Sequence, residues 1–126
     1  MKKQIILYDH KRLYLECMQY FLVCSDIAKK YNLQGVDNFD ELQKYILEKD
    51  SILILNIAPL NFVEVTDQIE GFLKLNKTLK IIIHAINTDV KLIKKFFDRG
   101  IKGYLGNNAS SKEFFEAINQ VTDDKV

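Results

Sequence analysis

Short apolar runs alternate with longer amphipathic stretches along the whole chain. Five runs have strand character: Lys3 to Tyr8 (KQIILY), Tyr31 to Val36, Ser51 to Asn56 (SILILN), Leu79 to Ile83 (LKIII) and Lys102 to Leu105 (KGYL). Three of them are near-continuous in Ile and Leu, the pattern of strands covered on both faces. Between the runs the period changes to that of helices. Lys11 to Val23 carries Leu13, Cys17, Tyr20, Phe21 and Cys24 at helical spacing, which predicts a first helix with that face buried. Phe39 to Glu48 follows Asn38, with Glu41 as the capping-box partner, and offers Leu42, Tyr45 and Ile46 as its stripe. Val63 to Leu75 offers Val65, Ile69, Phe72 and Leu73, and Val90 to Arg99 stops at Gly100, a natural residue just past a helix end. Ser110 and Glu113 form a second capping box that opens Ser111 to Val121, with Phe114, Ala117, Ile118 and Val121 inward.

Five strands alternating with five helices predict an α/β, flavodoxin-like (βα)5 three-layer sandwich with a parallel sheet in the order 2-1-3-4-5. At 126 residues the chain is long enough for one continuous core. The reading is a single domain over residues 1–122, with 123–126 as a tail or the start of a linker.

Composition excludes more than it assigns. Lys and Arg number 18 against 17 Asp and Glu, so net charge gives no reason to expect nucleic-acid or membrane binding by this segment. No stretch approaches the roughly 20 apolar residues of a membrane span, and the start is unlike a signal peptide, so a cytoplasmic protein is expected. Cys17 and Cys24 on one helix are about 10 Å apart, too far for a disulfide, and read as buried apolar fillers. His10 and His84 lack ligand spacing with them, so no metal site is expected. There is no glycine-rich phosphate loop and no plausible Ser, His and Asp set. Lys29 with Lys30, and Lys94 with Lys95, read as solvated faces.

In an open parallel sheet, ligands sit at the carboxyl ends of the strands. Those ends carry Tyr8, Asp9 and His10, then Asn56, Ala85, and Gly106 with Asn107. Intervals of 47, 29 and 22 residues separate Asp9, Asn56, Ala85 and Asn107. Together with the segment RGIKGYLGNNASSKEFFEAI (99–118), this pattern resembles the receiver domain of two-component response regulators. The subgroup it resembles is the NarL/LuxR type that precedes helix-turn-helix modules, and the likeness spans nearly the whole chain. The resemblance implies an acidic pair at Tyr8 and Asp9, a phosphate-accepting aspartate at Asn56, a hydroxyl at Ala85 and a lysine at Asn107. Only Asp9 keeps the family residue. An amide supplies no carboxylate nucleophile, Mg²⁺ wants charged oxygens, and neither Ala85 nor Asn107 can read out a phosphoryl group as a hydroxyl and a lysine do. Tyr104 corresponds to the family's switch aromatic and has room beside Ala85 to rest inward. Asp50 and Asp89 do not map to the nucleophile position.

The expectation is therefore a degenerate receiver that is not an enzyme, has lost Mg²⁺ binding and needs no cofactor. It would act by dimerisation or by binding a partner protein, with DNA reached only through a separate helix-turn-helix domain absent from this chain. Tyr14 and Met18, read as lying off the first helix's buried stripe, and Phe115 on the last helix are the interface candidates. Two alternatives remain open: a small-molecule sensor using the vacated acidic pocket, and a receiver with residual phosphoacceptor activity.

Overall fold

A computed structural model describes residues 3–57, 61–85, 89–106 and 108–122. Five parallel strands lie in the order β2-β1-β3-β4-β5, as the sequence predicts. They are β1 (Lys3–Tyr8), β2 (Tyr31–Val36), β3 (Ile52–Asn56), β4 (Lys80–His84) and β5 (Gly103–Leu105). The helices are α1 (Arg12–Val23), α2 (Ile27–Lys30), α3 (Leu42–Tyr45), α4 (Phe62–Leu75), α5 (Val90–Asp98) and α6 (Ser111–Thr122).

Strand side chains alternate between two cores. Ile6, Leu53, Leu55, Ile81 and Ile83 pack on one face against Leu42 and Ile46, Val65, Ile69 and Phe72 of α4, and Phe96 of α5. Ile5, Leu7, Ile52, Ile54 and Ile82 pack on the other against Leu15 and Leu22 of α1, Ile27 of α2, and Phe114, Ile118 and Val121 of α6. This double burial is why the central strands read as unbroken Ile and Leu.

The end of the sheet where the strands begin is tied by one side chain. Asn76 Nδ2 donates to the carbonyls of Ile46 at 2.6 Å and Glu48 at 2.8 Å, and its Oδ1 accepts from the backbone and hydroxyl of Thr78. The Thr78 hydroxyl in turn accepts from Asp50 N–H, at a residue with φ +61°. The expected helix over Phe39 to Glu48 is shorter than its sequence pattern. It is a 3₁₀ turn (Phe39–Glu41) followed by one turn of α3, and past its end the carbonyls of Ile46 and Glu48 accept from Asn76. Asn38 does not form the expected capping box either, since its Oδ1 accepts from Asp40 N–H, an Asx turn.

The box at Ser110 is present: Glu113 N–H donates to Ser110 Oγ at 3.2 Å, and Ser110 N–H to Glu113 Oε1 at 3.4 Å. Asn61 caps α4 by accepting from Glu64 N–H. Gly100 takes φ +111° after α5, as its place predicts.

The face of α1 departs from expectation. Leu15 and Leu22 are buried and Met18 half-buried between them, whereas Leu13, Cys17, Tyr20, Phe21 and Cys24 are exposed. The helix has two apolar stripes, and periodicity alone cannot say which meets the sheet. The cysteines are thus not core fillers, and Met18 belongs to the buried stripe.

Replacing Asn76 with Ala leaves the carbonyls of Ile46 and Glu48 without this donor. The variant should lose about 2–3 kcal/mol in urea denaturation, against well under 1 kcal/mol for a solvent-facing control such as Lys74→Ala.

Candidate functional site

Because all strands run the same way, their ends gather on one edge. Pairing of Tyr8 with Leu55 and of Asn56 with His84 sets β1, β3 and β4 in register there. Asp9, one residue past β1, is buried at 2 % exposure. Its Oδ2 accepts a hydrogen bond from Asn56 Nδ2 at 3.1 Å. Its Oδ1 accepts from Lys11 N–H at 2.9 Å, with His10 Nδ1 at 3.6 Å from the same oxygen. Each carboxylate oxygen therefore has a donor from the protein, which is what a buried acid requires. The residues 47 apart in sequence are one hydrogen-bonded pair.

The other predicted positions divide. Ala85 is buried just past β4, its N–H bonded to the carbonyl of Leu105 at 3.0 Å. Tyr8, expected in the former acidic pocket, is instead absorbed by the core. Its parity on β1 matches that of Ile6, and its ring meets that of Phe39 edge-on at 5.4 Å. Burial, then the nearby carboxylates of Asp9, Asp37 and Asp40, raise its pKa above the ordinary tyrosine value of 10.0. Tyr104 is half-buried against the same core, and burial raises its pKa too. Asn107 lies outside the described residues, as does the tail from 123 onward.

Sequence reasoning treated His84 only as a poor metal candidate. One residue from Ala85, it has the opposite parity and faces α1 and α6. There, with Met18, Phe21, Leu105 and Phe114, it lines a cavity of about 400 Å³. Its Nδ1 is buried and has no hydrogen-bond partner among the described residues. Burial lowers its pKa below 6.5, opposed by the smaller pull of Asp9. Its position at the end of an apolar strand was the available signal, since such a side chain must enter one core or the other.

Of the interface candidates, Tyr14 is exposed. Phe115 is half-buried, stacked on Phe21 with ring centroids 5.0 Å apart. Met18 packs into the second core, so it does not join them as an exposed residue. Among the described residues, no group of three or more His, Cys, Asp or Glu side chains is placed to hold a metal. No helix among them is long and apolar enough to cross a membrane.

No protein-family model matches the chain, and no curated protein sequence matches it. Solved structures do. A CheY-like response-regulator receiver domain protein from Methanospirillum hungatei aligns with TM-score 0.79 and 18 % identity over 98 % of this chain and 96 % of its own. The non-phosphorylated HemR receiver domain from Leptospira biflexa aligns with TM-score 0.77 and 16 % identity over 99 % and 98 %. The pilus assembly protein CpaE from Caulobacter crescentus aligns with TM-score 0.74 and 9 % identity over 94 % and 98 %.

A depressed histidine pKa means that folding favours the neutral ring. The stability this contributes is present above the unfolded value near 6.5 and is lost as pH falls through the lower folded value. Melting temperature should therefore drop on acidification below about 6.5, and His84→Gln should flatten that drop while leaving the neutral-pH spectrum of the fold unchanged. The five-stranded parallel sheet in the order 2-1-3-4-5, with helices on both faces, is the fold seen in solved response-regulator receiver domains.

Proposed function

We propose that this chain is a receiver-type signalling domain that works without phosphorylation, as a protein-interaction module and not as an enzyme. One observation carries the reading: the residue in the acceptor's place, Asn56, donates its amide to Asp9. In a working receiver both positions are carboxylates that hold Mg²⁺ between them, and one attacks the phosphoryl donor. Here an amide N–H supplies the donor that Asp9 would otherwise seek from a cation or water. The amide also lacks the nucleophilic oxygen needed to form an acyl phosphate. Ala85 removes the hydroxyl that would bind a transferred phosphoryl group, and Tyr104, packed against the first core, fits a switch aromatic resting inward.

Output by association suits the surface, where Tyr14 is exposed on α1 and Phe21 of α1 stacks on Phe115 of α6. Regulation of transcription, on this reading, needs a helix-turn-helix module joined to or recruited by the domain, and the setting is the cytoplasm.

Incubation with acetyl phosphate and Mg²⁺, followed by intact-mass measurement, should show no added phosphate. A mass increase of one phosphoryl group would refute the proposal. Asn56→Asp sharpens the test, because it sets a second carboxylate about 3 Å from Asp9 in place of a donor. The variant should lose about 1–3 kcal/mol of stability without divalent cation and regain much of it with Mg²⁺, whereas the natural chain should show no Mg²⁺-dependent melting shift.

A further inference from the structure

The cavity that His84 lines lies at the carboxyl edge of the sheet, between α1 and α6. Open parallel sheets bind their ligands at that edge. His84 and Leu105, register partners at the ends of β4 and β5, both face it. Met18 and Phe21 of α1 wall one side, and Phe114 of α6 walls the other. The rings of Phe21 and Phe114 lie 6.2 Å apart and tilted by 36°, so they form one aromatic surface. At about 400 Å³ the cavity falls in the range of about 300–1,000 Å³ that small-molecule sites occupy.

The lining selects the chemistry of what enters. Among the described residues that line the cavity, none is Lys, Arg, Asp or Glu. A charged molecule would leave water there with no opposite charge to meet it, which is costly. Two phenyl rings and a thioether favour a flat aromatic molecule, because rings pack offset or edge-on and sulfur packs well against a ring. One polar group has capacity that the protein does not use: His84 Nδ1 is buried with no hydrogen-bond partner among the described residues. Folded proteins rarely leave such an atom unpaired. Burial favours the neutral ring, against the smaller pull of Asp9, and a neutral imidazole has one nitrogen that accepts. Rotation about the Cβ–Cγ bond, a soft torsion, brings that nitrogen to the cavity wall. The hydroxyl of Ser110, which also lines the cavity, is already engaged with Glu113 in the capping box.

We propose that this cavity binds a small, uncharged aromatic molecule carrying one N–H or O–H, which donates to His84 while its ring packs against Met18, Phe21 and Phe114. Phe21 belongs both to the cavity and to the stack on Phe115, so the bound molecule touches the aromatic surface shared by α1 and α6. The inference goes beyond the reading of the domain as an interaction module and does not depend on it, since a domain that accepts phosphate could hold the same ligand. Indole, a neutral aromatic with a single N–H, has the required chemistry and serves as the probe.

Titration of the isotope-labelled full chain with indole, followed by two-dimensional NMR, tests it. The shifts should saturate, centre on Met18, Phe21, His84, Leu105 and Phe114, and give a dissociation constant below about 1 mM. N-methylindole, which has the same ring and no donor, should bind about fivefold more weakly. Indoleacetate, which adds a carboxylate, should bind at least about tenfold more weakly. His84→Phe keeps a ring and removes both nitrogens, so it should erase the preference for indole over N-methylindole. Four results each overturn the proposal: no saturable shift up to about 1 mM, shifts centred elsewhere, equal binding of N-methylindole, or a preference that survives His84→Phe. So does indoleacetate binding as tightly as indole. Intact mass after acetyl phosphate reads the other proposal separately. A chain that gains phosphate and binds indole keeps this site and loses the phosphate-independent reading, whereas one that does neither loses the site alone.

Discussion

A parallel sheet buried on both faces imposes a rule on its central strands: successive side chains enter one core or the other until the strand reaches the edge of the sheet. In β1, β3 and β4 this rule commits Ile and Leu at nearly every position. It also delivers the last residues of the strands, and those just beyond them, to a common edge. The pairing of Asp9 with Asn56 across 47 residues is a product of that geometry, since parallel neighbours in register must end side by side. The same rule places Tyr8 in the first core and His84 against the second, although both flank the edge in sequence. Parity decides which polar residues at the strand ends serve as a site and which become part of the packing.

Much of this was legible in the residues. Long Ile and Leu runs have one stable environment, so the strands, their number and their order could be read directly. The Ser110 box and Gly100 could be read because their signals are local and are satisfied within a few residues. Two failures have one cause. The segment Phe39 to Glu48 holds only short helical turns, and the carbonyls that follow them, of Ile46 and Glu48, bond to Asn76, a residue about 30 positions away. The face of α1 was misassigned because both of its stripes satisfy a helical period, and only contact with the sheet distinguishes them. Tertiary partners settled both, and a pattern read along the chain does not contain them.

The candidate site was legible in its substitutions but not in its bonding. That residue 56 is an amide can be read from the sequence; that it donates to Asp9, with Lys11 N–H serving the other oxygen, cannot. Likewise, His84 was visible as a residue but not as a half-buried ring with a depressed pKa, which follows from the parity of β4 and from Met18, Phe21 and Phe114 around it. The aromatic crowd on α1 and α6 emerges only once Phe21 and Phe115 are seen to stack.

The hydrogen bond from Asn56 to Asp9 also bears on how such a domain holds information over time. A phosphorylated aspartate is a covalent record that outlasts its stimulus until it is hydrolysed, and writing it consumes a high-energy donor. An amide at that position can carry no such record. On the proposed reading the domain has no memory. Its occupancy follows the momentary concentration of whatever binds it, at equilibrium and without fuel, and its response time is the lifetime of a reversible contact.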